Sequence, residues 1–231
     1  GDHRDLHSFP TDALPILHVS GELHMNKKQS FEIKIFDNSD KEFEEEFHKY
    51  SKALEYPKGV SPFSSDDLLN YFYIVLDGKI KTYQINFENS KEQTLFIYKR
   101  GDMFDVISLL DKEPHEVIYE VLQDCKVLRL PIEKVRYWAD NSTAFKNIFF
   151  PYIASKMRYS ENLATELSLY DVKERLMHLL IESADPNNHF KYQLLNNLSN
   201  SEISKLLGTV RHVTERAIKQ LKHENIIKTR R

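Results

Sequence analysis

Residues 198–227 read LSNSEISKLLGTVRHVTERAIKQLKHENII and contain the clearest local pattern in the chain. Ser199 or Ser201 can cap a short helix, because a serine oxygen accepts a hydrogen bond from an unpaired first-turn amide. Gly208 permits a tight turn, since a residue without Cβ enters left-handed backbone space at little cost. Apolar spacings of three and four then predict a second helix, with an inward face of Val213, Ala217, Ile218 and Leu221. Two short helices joined at a glycine indicate a helix-turn-helix.

Positive charge is concentrated in this segment. From Ser199 onward there are eight lysines and arginines against three acidic residues, whereas the whole chain carries −3 and residues 1–198 therefore carry −8. An ordinary helical hairpin with a solvated face leaves this concentration unexplained. A segment that enters a groove of DNA requires it. The charge pattern favours DNA binding and leaves most of the chain for another task.

Length and composition limit the class of protein. The 231 residues, 41% of them hydrophobic, suffice for one large domain or two modest ones. No apolar run reaches membrane-spanning length, and no signal-peptide pattern is present. A single cysteine, Cys125, excludes an internal disulfide framework and argues against a four-cysteine iron–sulfur cluster. We therefore expect a cytoplasmic protein.

The first two-thirds of the chain predict a β domain. Residues 1–24 are aperiodic and precede Met25, which resembles a natural start, so we treat them as a candidate tag remnant. A strand over 31–36 and an amphipathic helix over 40–50 are expected next. Strands follow at 71–76, 80–87, 94–98, 117–122 and 126–130, and Asp77-Gly78 predicts a hairpin between the first two. Short strands without intervening helices indicate a closed antiparallel barrel or a sandwich.

From Ile132 the apolar period becomes helical. Helices are expected over 132–139 and from 142 to about 169, the second roughly 40 Å long at 1.5 Å per residue. A long helix with a narrow apolar stripe typically pairs with its copy, although packing on its own barrel is an alternative for some positions. Pro151 predicts a kink or a helix start. The candidate dimer contacts are Phe145, Phe149, Tyr152, Ile153, Met157, Leu163 and Leu167.

A further boundary is expected at Tyr170–Asp171. Asp171 can cap a helix over 172–182, and a strand over 190–195 leads into the helix-turn-helix. The predicted units are a sensor domain over 25–140, a dimerisation helix over 141–170 and a DNA-binding domain over 171–231.

Barrel, long helix, Asp-capped helix and helix-turn-helix, in this order, resemble the Crp/Fnr family of bacterial transcription regulators. The likeness spans about 52–231 and is most specific at GDMF (101–104), LYDVKERL (169–176) and 198–227. It implies an α+β fold with a jelly-roll-like barrel of the cyclic-nucleotide-binding type and a C-terminal winged helix-turn-helix. It also implies a homodimer on near-palindromic double-stranded DNA, with RNA polymerase as a further partner. The family wing usually extends past Ile227, so a short wing is expected here.

The outer face of the second helix carries the candidate base readers Arg211, His212, Glu215 and Arg216. The resemblance assigns base contacts to the two arginines, and a guanidinium can bond both O6 and N7 of guanine. His212 stands where relatives often carry glutamate, so an altered base preference is expected. Phosphate contacts are expected at Ser199, Ser201, Thr209, Thr214 and Lys219, with plain solvent exposure as the alternative for each.

The sensor region departs from the family pattern. Cyclic-nucleotide binders carry Gly-Glu after the GDMF-like run and then Arg-Ser for the phosphate, whereas this chain has Asp105-Val106 and PHEV at 114–117. Carboxylates at these positions, and Glu161 on the long helix, would repel a phosphate. Cyclic AMP is therefore not expected. The candidate effector pocket comprises Asp105, Val106, His115, Ser160 and Glu161.

Several other effectors and two other classes of protein are alternatives. Haem ligation by His115, thiol oxidation at Cys125 or a constitutively competent dimer are alternatives, although Cys125 lacks a neighbour that would lower its pKa and is expected to be structural. A cupin-like metal enzyme needs clustered histidines, and His115 is the single histidine between 53 and 131. A pure interaction module would leave the basic helix unexplained. We expect a non-enzymatic regulator without a metal site.

Overall fold

A computed structural model describes residues 41–185, 188–192, 195 and 197–227, and for 184–185 and 188–192 it describes the backbone alone. The predictions for the N-terminal segment and for the strand over 31–36 lie outside these residues. The described part comprises an antiparallel sheet with flanking helices, a long helix and a helical C-terminal unit.

The N-terminal unit contains one five-stranded antiparallel sheet in the order β1-β5-β2-β3, with β4 paired to the first half of β2. Its elements are α1 (Lys41–Tyr50), β1 (Lys52–Tyr56), α2 (Ser65–Asn70), β2 (Tyr71–Asn86), β3 (Lys91–Tyr98), β4 (Met103–Phe104), α3 (Val106–Asp111) and β5 (Ile118–Pro131). The antiparallel β domain is confirmed, but in the described residues the sheet is not closed into a barrel. β1 pairs with 125–129 of β5 and β3 pairs with 80–86 of β2, and no pairing joins β1 to β3 among the described residues.

The hairpin predicted at Asp77-Gly78 is wrong. β2 runs unbroken through both residues, and the register with β5 shifts on either side of Asp77. Gly78 has φ +83°, and a Cβ there would lie 2.7 Å from the Cα of Cys125. A bulge uses the same positive φ as a hairpin turn, so the Asp-Gly signal marks a bend in a long strand. The two strands predicted over 117–122 and 126–130 are likewise one continuous strand, β5.

Both faces of the sheet are buried. Along β2, Phe72, Ile74 and Leu76 pack with α1 and with the two helices that follow β5 in one hydrophobic cluster. The alternate residues Tyr73 and Val75 belong to a second cluster on the opposite face. This double burial explains why β2 reads as a continuous apolar run at its start.

The C-terminal half is helical with one hairpin. It consists of α4 (Ile132–Asn141), α5 (Thr143–Leu169), α6 (Val172–Glu182), β6 (Ala184–Asp185), β7 (Asn188–Tyr192), α7 (Asn200–Leu206) and α8 (Arg211–His223). α5 begins behind the N-cap Ser142, and Pro151 lies inside it, so the helix does not start at the proline. Asp171 caps α6 in a capping box with Glu174, as expected. β7 overlaps the strand predicted over 190–195, part of which lies outside the described residues.

Two of the predicted dimer contacts are core residues. Phe145 and Phe149 are 2% and 0% exposed, and their rings stack on each other at 5.0 Å within the cluster that holds Trp138. Their burial contradicts the predicted role at a dimer surface. The periodicity identified an apolar stripe correctly, but its first two turns face the chain's own sheet.

Candidate nucleic-acid interface and sensor region

The helix-turn-helix is fixed by local caps. Ser199 Oγ accepts a hydrogen bond from the Glu202 amide at 3.2 Å and begins α7. Gly208 has φ +63°, and the next amide, that of Thr209, donates to the Ser204 carbonyl at 2.9 Å. α8 starts at Arg211 immediately after this turn. The cap and the turn are the two features that the sequence predicted.

A small hydrophobic core holds α8 against α6 and α7. Its buried members are Leu176, Leu207, Ala217 and Leu221. Val213 and Ile218, also predicted to face inward, are partly buried. Because the apolar side of α8 is used in this way, its opposite side is turned to solvent.

The outward face of α8 carries the predicted base readers. Arg211, His212, Arg216 and Lys219 are exposed, and Glu215 is half-buried. Arg211 Nε donates to Glu215 Oε1 at 2.7 Å, and this hydrogen bond holds the pKa of the Glu215 carboxyl below its ordinary value. This hydrogen bond uses the Nε–H, one of the five N–H donors of the Arg211 guanidinium.

The candidate phosphate contacts divide into two groups. Ser199 is exposed and serves as the helix cap, while Ser201 and Thr209 are partly exposed. Thr214 has no exposed side-chain surface. Its burial contradicts the predicted phosphate contact, because its position on α8 faces the core between Val213 and Ala217.

Asp105 and His115 of the candidate effector pocket lie in contact. Asp105 is buried with φ +59°, and its Oδ1 lies 2.8 Å from His115 Nδ1. Its Oδ2 is buried and has no hydrogen-bond partner among the described residues. Val106 begins α3 next to this pair. Ser160 and Glu161, by contrast, are exposed on α5, and Ser160 Oγ donates to the Lys156 carbonyl of its own helix.

The contact between α5 and the sensor is made by Tyr152, which the sequence predicted as a dimer contact, and by Lys156 and Asp102, which it did not single out. Lys156 Nζ lies 2.8 Å from Asp102 Oδ1, and it also lies 4.9 Å from the ring centre of Tyr152 and 5.3 Å from that of Tyr98. Tyr152 accepts from the Met103 amide at 3.0 Å and donates to the Met103 carbonyl. Burial raises the pKa of the Tyr152 hydroxyl far above its ordinary value, and the Asp102 charge adds to this. The spacing of four between Tyr152 and Lys156 placed both on one helix face and was the available signal.

Aromatic rings make up much of the second hydrophobic cluster of the sheet. Tyr73 stacks on Phe104 at 5.1 Å with an interplanar angle of 6°, and Phe63 packs against both rings. Tyr119 completes the group, and its burial raises the pKa of its hydroxyl well above the usual value. Phe104 of the GDMF run thus contacts the aromatic rings of Phe63, Tyr73 and Tyr119.

Cys125 is buried in the same hydrophobic cluster. Burial raises the pKa of its thiol to about 12, against a smaller opposing effect of a backbone hydrogen bond at Tyr56. A thiol with so high a pKa is a weak nucleophile at neutral pH. Among the residues that the structure describes, no helix has the length and apolar content needed to cross a membrane.

The fold and the site together define a DNA-binding regulator in which a sheet domain of the cyclic-nucleotide-binding type precedes a helix-turn-helix. Residues 53–142 match the cyclic nucleotide-binding domain, and residues 174–231 match the Crp-like helix-turn-helix domain. The two matches cover more than half of the chain. The chain belongs to the Crp/Fnr family of transcription regulators.

Known relatives span most of the chain at low identity. The CRP-like cAMP-activated global transcriptional regulator of Mycobacterium tuberculosis is 21% identical over 183 residues, which are 78% of this chain and 81% of that protein. The cyclic AMP receptor protein of Thermus thermophilus is 22% identical over 179 residues, with the same shares of the two chains. Among solved structures, a CooA mutant from Carboxydothermus hydrogenoformans has a TM-score of 0.69 at 19% identity, covering 86% of this chain and 87% of that one. The c-di-GMP responsive regulator CLP of Xanthomonas campestris has a TM-score of 0.66 at 20% identity, covering 83% and 96%.

Proposed function

We propose that this chain is a homodimeric, sequence-specific transcription regulator that binds a near-palindromic operator and does so without cyclic AMP. The observation that carries the proposal is the surface of α8, where Arg211, His212, Arg216 and Lys219 point to solvent from a helix fixed by its own core. An exposed basic face on the second helix of a helix-turn-helix is the element that enters a major groove. The proposed base contacts are Arg211, His212, Glu215 and Arg216. The proposed phosphate contacts are Ser199, Ser201, Thr209 and Lys219.

A second exposed face supports the homodimer. Phe150 and Met157 are 55% and 62% exposed, and Ala154, Glu161 and Ala164 are also exposed on α5. These five positions follow one another at spacings of four and three, which is the seam of a two-stranded coiled coil. Of the contacts expected from sequence, Met157 belongs to this seam, and Ile153, Leu163 and Leu167 flank it. We propose this seam in place of Phe145 and Phe149.

The sensor argues against cyclic AMP on two grounds. The position that would face a phosphate is acidic at Asp105, whose buried carboxylate pairs with His115. The contact between sensor and α5 is already made by Tyr152 and Lys156, with Asp102 and Met103 as their partners. The relatives themselves differ in effector, since one is named cAMP-activated and another c-di-GMP responsive. Family membership therefore leaves the effector to be decided by the residues of each chain.

A haem- or other effector-dependent sensor is the second candidate. One observation favours it: Asp105 orients the His115 ring through Nδ1, which is the arrangement that carboxylates provide for metal-ligating histidines. Haemin titration followed by visible absorption tests this candidate, and a Soret band that shifts in the protein and disappears in His115→Ala would establish it. By family likeness we further propose a cytoplasmic location, RNA polymerase as a partner and no enzymatic activity.

Titration of the purified protein with a selected duplex, with and without cyclic AMP, tests the main proposal. We expect the same Kd in both titrations. A tenfold or greater tightening by cyclic AMP would contradict the effector part. Equal binding to selected and scrambled duplexes would contradict the DNA-binding part.

A further inference from the structure

A buried lysine lies at the junction between the sensor sheet and the DNA-binding domain. Lys81 on β2 has no exposed surface, and its Nζ lies 2.9 Å from Glu120 Oε2 on β5. The same nitrogen lies 3.1 Å from Glu202 Oε2 on α7, 121 residues away in the sequence. The ring of Tyr83 lies beneath it at 4.6 Å. A buried ammonium is costly unless it is paired, so Lys81 requires these carboxylates in the folded state.

A second lysine crosses the junction in the opposite direction. Lys205 on α7 lies 2.7 Å from Glu92 Oε2 on β3 and 3.6 Å from Glu202. Burial alone would lower the pKa of Lys205, but the bond with Glu92 and the charge of Glu202 outweigh burial and raise it. The junction therefore contains two lysines and three glutamates, each domain contributing residues of both signs.

Close apolar packing accompanies the ion pairs. Leu206 at the end of α7 packs with Ile97 and Leu122 of the sheet. Gln93 Nε2 donates to the Leu206 carbonyl at 3.3 Å. A Cβ on Gly208 would lie 2.6 Å from Gln93 Oε1 and 2.7 Å from Leu167 Cδ2, so the turn of the helix-turn-helix rests directly on the sheet and on α5.

This contact leaves the DNA-facing surface free. The sheet touches α7 and the turn, whereas Arg211, Arg216 and Lys219 on α8 remain exposed. Docking on the sensor thus fixes the direction in which α8 points without covering it. A flexible pair of DNA-binding domains would lose this orientation and would have to be ordered on the operator, at an entropic cost that lowers affinity.

We propose that Lys81 and its partners Glu92, Glu120, Glu202 and Lys205 form an interdomain latch that orients the DNA-binding domain for two-site binding. The inference rests on the proposed DNA-binding function and extends it. In the proposed dimer, the latch holds each reading helix in one orientation relative to its own sheet, through the contacts of α7 with β2 and β3. Breaking the latch leaves each helix-turn-helix folded and able to bind one half-site. Breaking the latch removes the higher affinity that the protein has for a paired site than for an isolated half-site.

The test compares Lys81→Met with the charge-matched control Lys126→Met. Lys126 pairs with Glu55 inside the sheet at 3.3 Å, so its loss removes a positive charge without touching the domain junction. Lys81→Met is expected to weaken binding to a paired site by on the order of tenfold. Lys81→Met should bind an isolated half-site within about twofold of the parent protein, because half-site binding does not depend on the latch. Lys126→Met should bind both DNAs within about twofold of the parent protein, because its latch is intact. Unchanged or tighter paired-site binding by a folded Lys81→Met protein would overturn the latch.

Two further measurements distinguish loss of the latch from misfolding and from a failure of the parent protein to bind DNA. If Lys81→Met does not fold, Glu202→Gln is the second variant. It neutralises the carboxylate that α7 of the DNA-binding domain presents to Lys81, and it should weaken binding to the paired site to the same extent. Hydrogen exchange of the α7 amides, measured without DNA, should speed up in Glu202→Gln and not in Lys126→Met. Unchanged exchange would overturn the latch even if the parent protein bound no operator, and failure of the parent to bind would overturn the proposed function alone.

Discussion

Lys156 Nζ lies 2.8 Å from Asp102 Oδ1, and this ion pair joins the long helix α5 to the turn that precedes β4. The two side chains are 25% and 15% exposed, and the Tyr98 and Tyr152 rings shield the ammonium. The sensor and the helix proposed for dimerisation are thus connected by the chain's own residues. This connection is the physical basis for expecting activity without an added effector.

The first prediction concerns the stability of this connection. Lys156→Met should lower the free energy of unfolding by roughly 1–3 kcal/mol, because it removes a shielded charged hydrogen bond and leaves Asp102 unpaired. Arg158→Met is the matched control, since Arg158 is exposed on the same helix. Urea unfolding followed by circular dichroism measures both. Equal stability of the two variants would show that the Lys156 contact does not hold the helix to the sensor.

The second prediction concerns base reading by Arg211. Arg211→Ala should cost about 1–3 kcal/mol on the preferred site and relax discrimination at one base position. Lys222→Ala, at the exposed far end of α8, serves as the control and should retain full discrimination. Competition binding with single-base variants of the site measures this. A uniform loss on every sequence would make Arg211 a phosphate contact.

The third prediction separates two adjacent phenylalanines. Phe149→Ala should lower the free energy of unfolding by about 3–5 kcal/mol, because Phe149 is fully buried, and leave the seam residues in place. Phe150→Asp should change stability little in the isolated subunit and give monomers in analytical ultracentrifugation, because Phe150 is exposed in the proposed seam. Dimers of undiminished affinity in Phe150→Asp would remove α5 as the interface.

The fourth prediction tests the bulge in β2. Gly78→Ala should cost roughly 2–5 kcal/mol, because the new Cβ combines left-handed strain with a clash against the backbone of Cys125. Gly101→Ala provides the comparison, since Gly101 also has a positive φ but open space around it, and should cost about 1–2 kcal/mol. Similar costs in the two variants would contradict close packing at the bulge.

The fifth prediction concerns the thiol. Because burial raises the pKa of Cys125 to about 12, little thiolate exists between pH 7 and 9, and a disulfide reagent should react slowly with the native protein across that range. Reaction should become fast in urea, where the thiol returns to its ordinary pKa. Rapid native reaction would show an exposed thiol and would revive thiol sensing.

Local signals explain why much of the fold was predictable. Ser142, Asp171 and Ser199 each stand directly before a helix with an apolar period, and each is observed as an N-cap. Gly208 likewise marks the turn. These features depend on residues within a few positions of one another, so the local sequence is enough to predict them.

The errors came from features that depend on the rest of the molecule. Asp77-Gly78 requires a positive φ in a bulge as in a hairpin, and only the pairing of β2 with β5 distinguishes them. Phe149 and Phe150 are equally apolar, and only the position of the sheet decides which one is buried. The partners of Lys81 lie as far as 121 residues away, and alternation along β2 gave no reason to expect a buried charge.

Selection of bound sites from random duplex DNA by the ligand-free protein, at physiological salt, tests the central claim most directly. The account predicts recovery of a two-fold symmetric site whose half-sites are about 10–10.5 bp apart, since a dimer places its reading helices one helical turn apart. Recovery of single half-sites, or of no preferred sequence, with weak binding that disappears as salt rises, would contradict a dimer oriented without an effector.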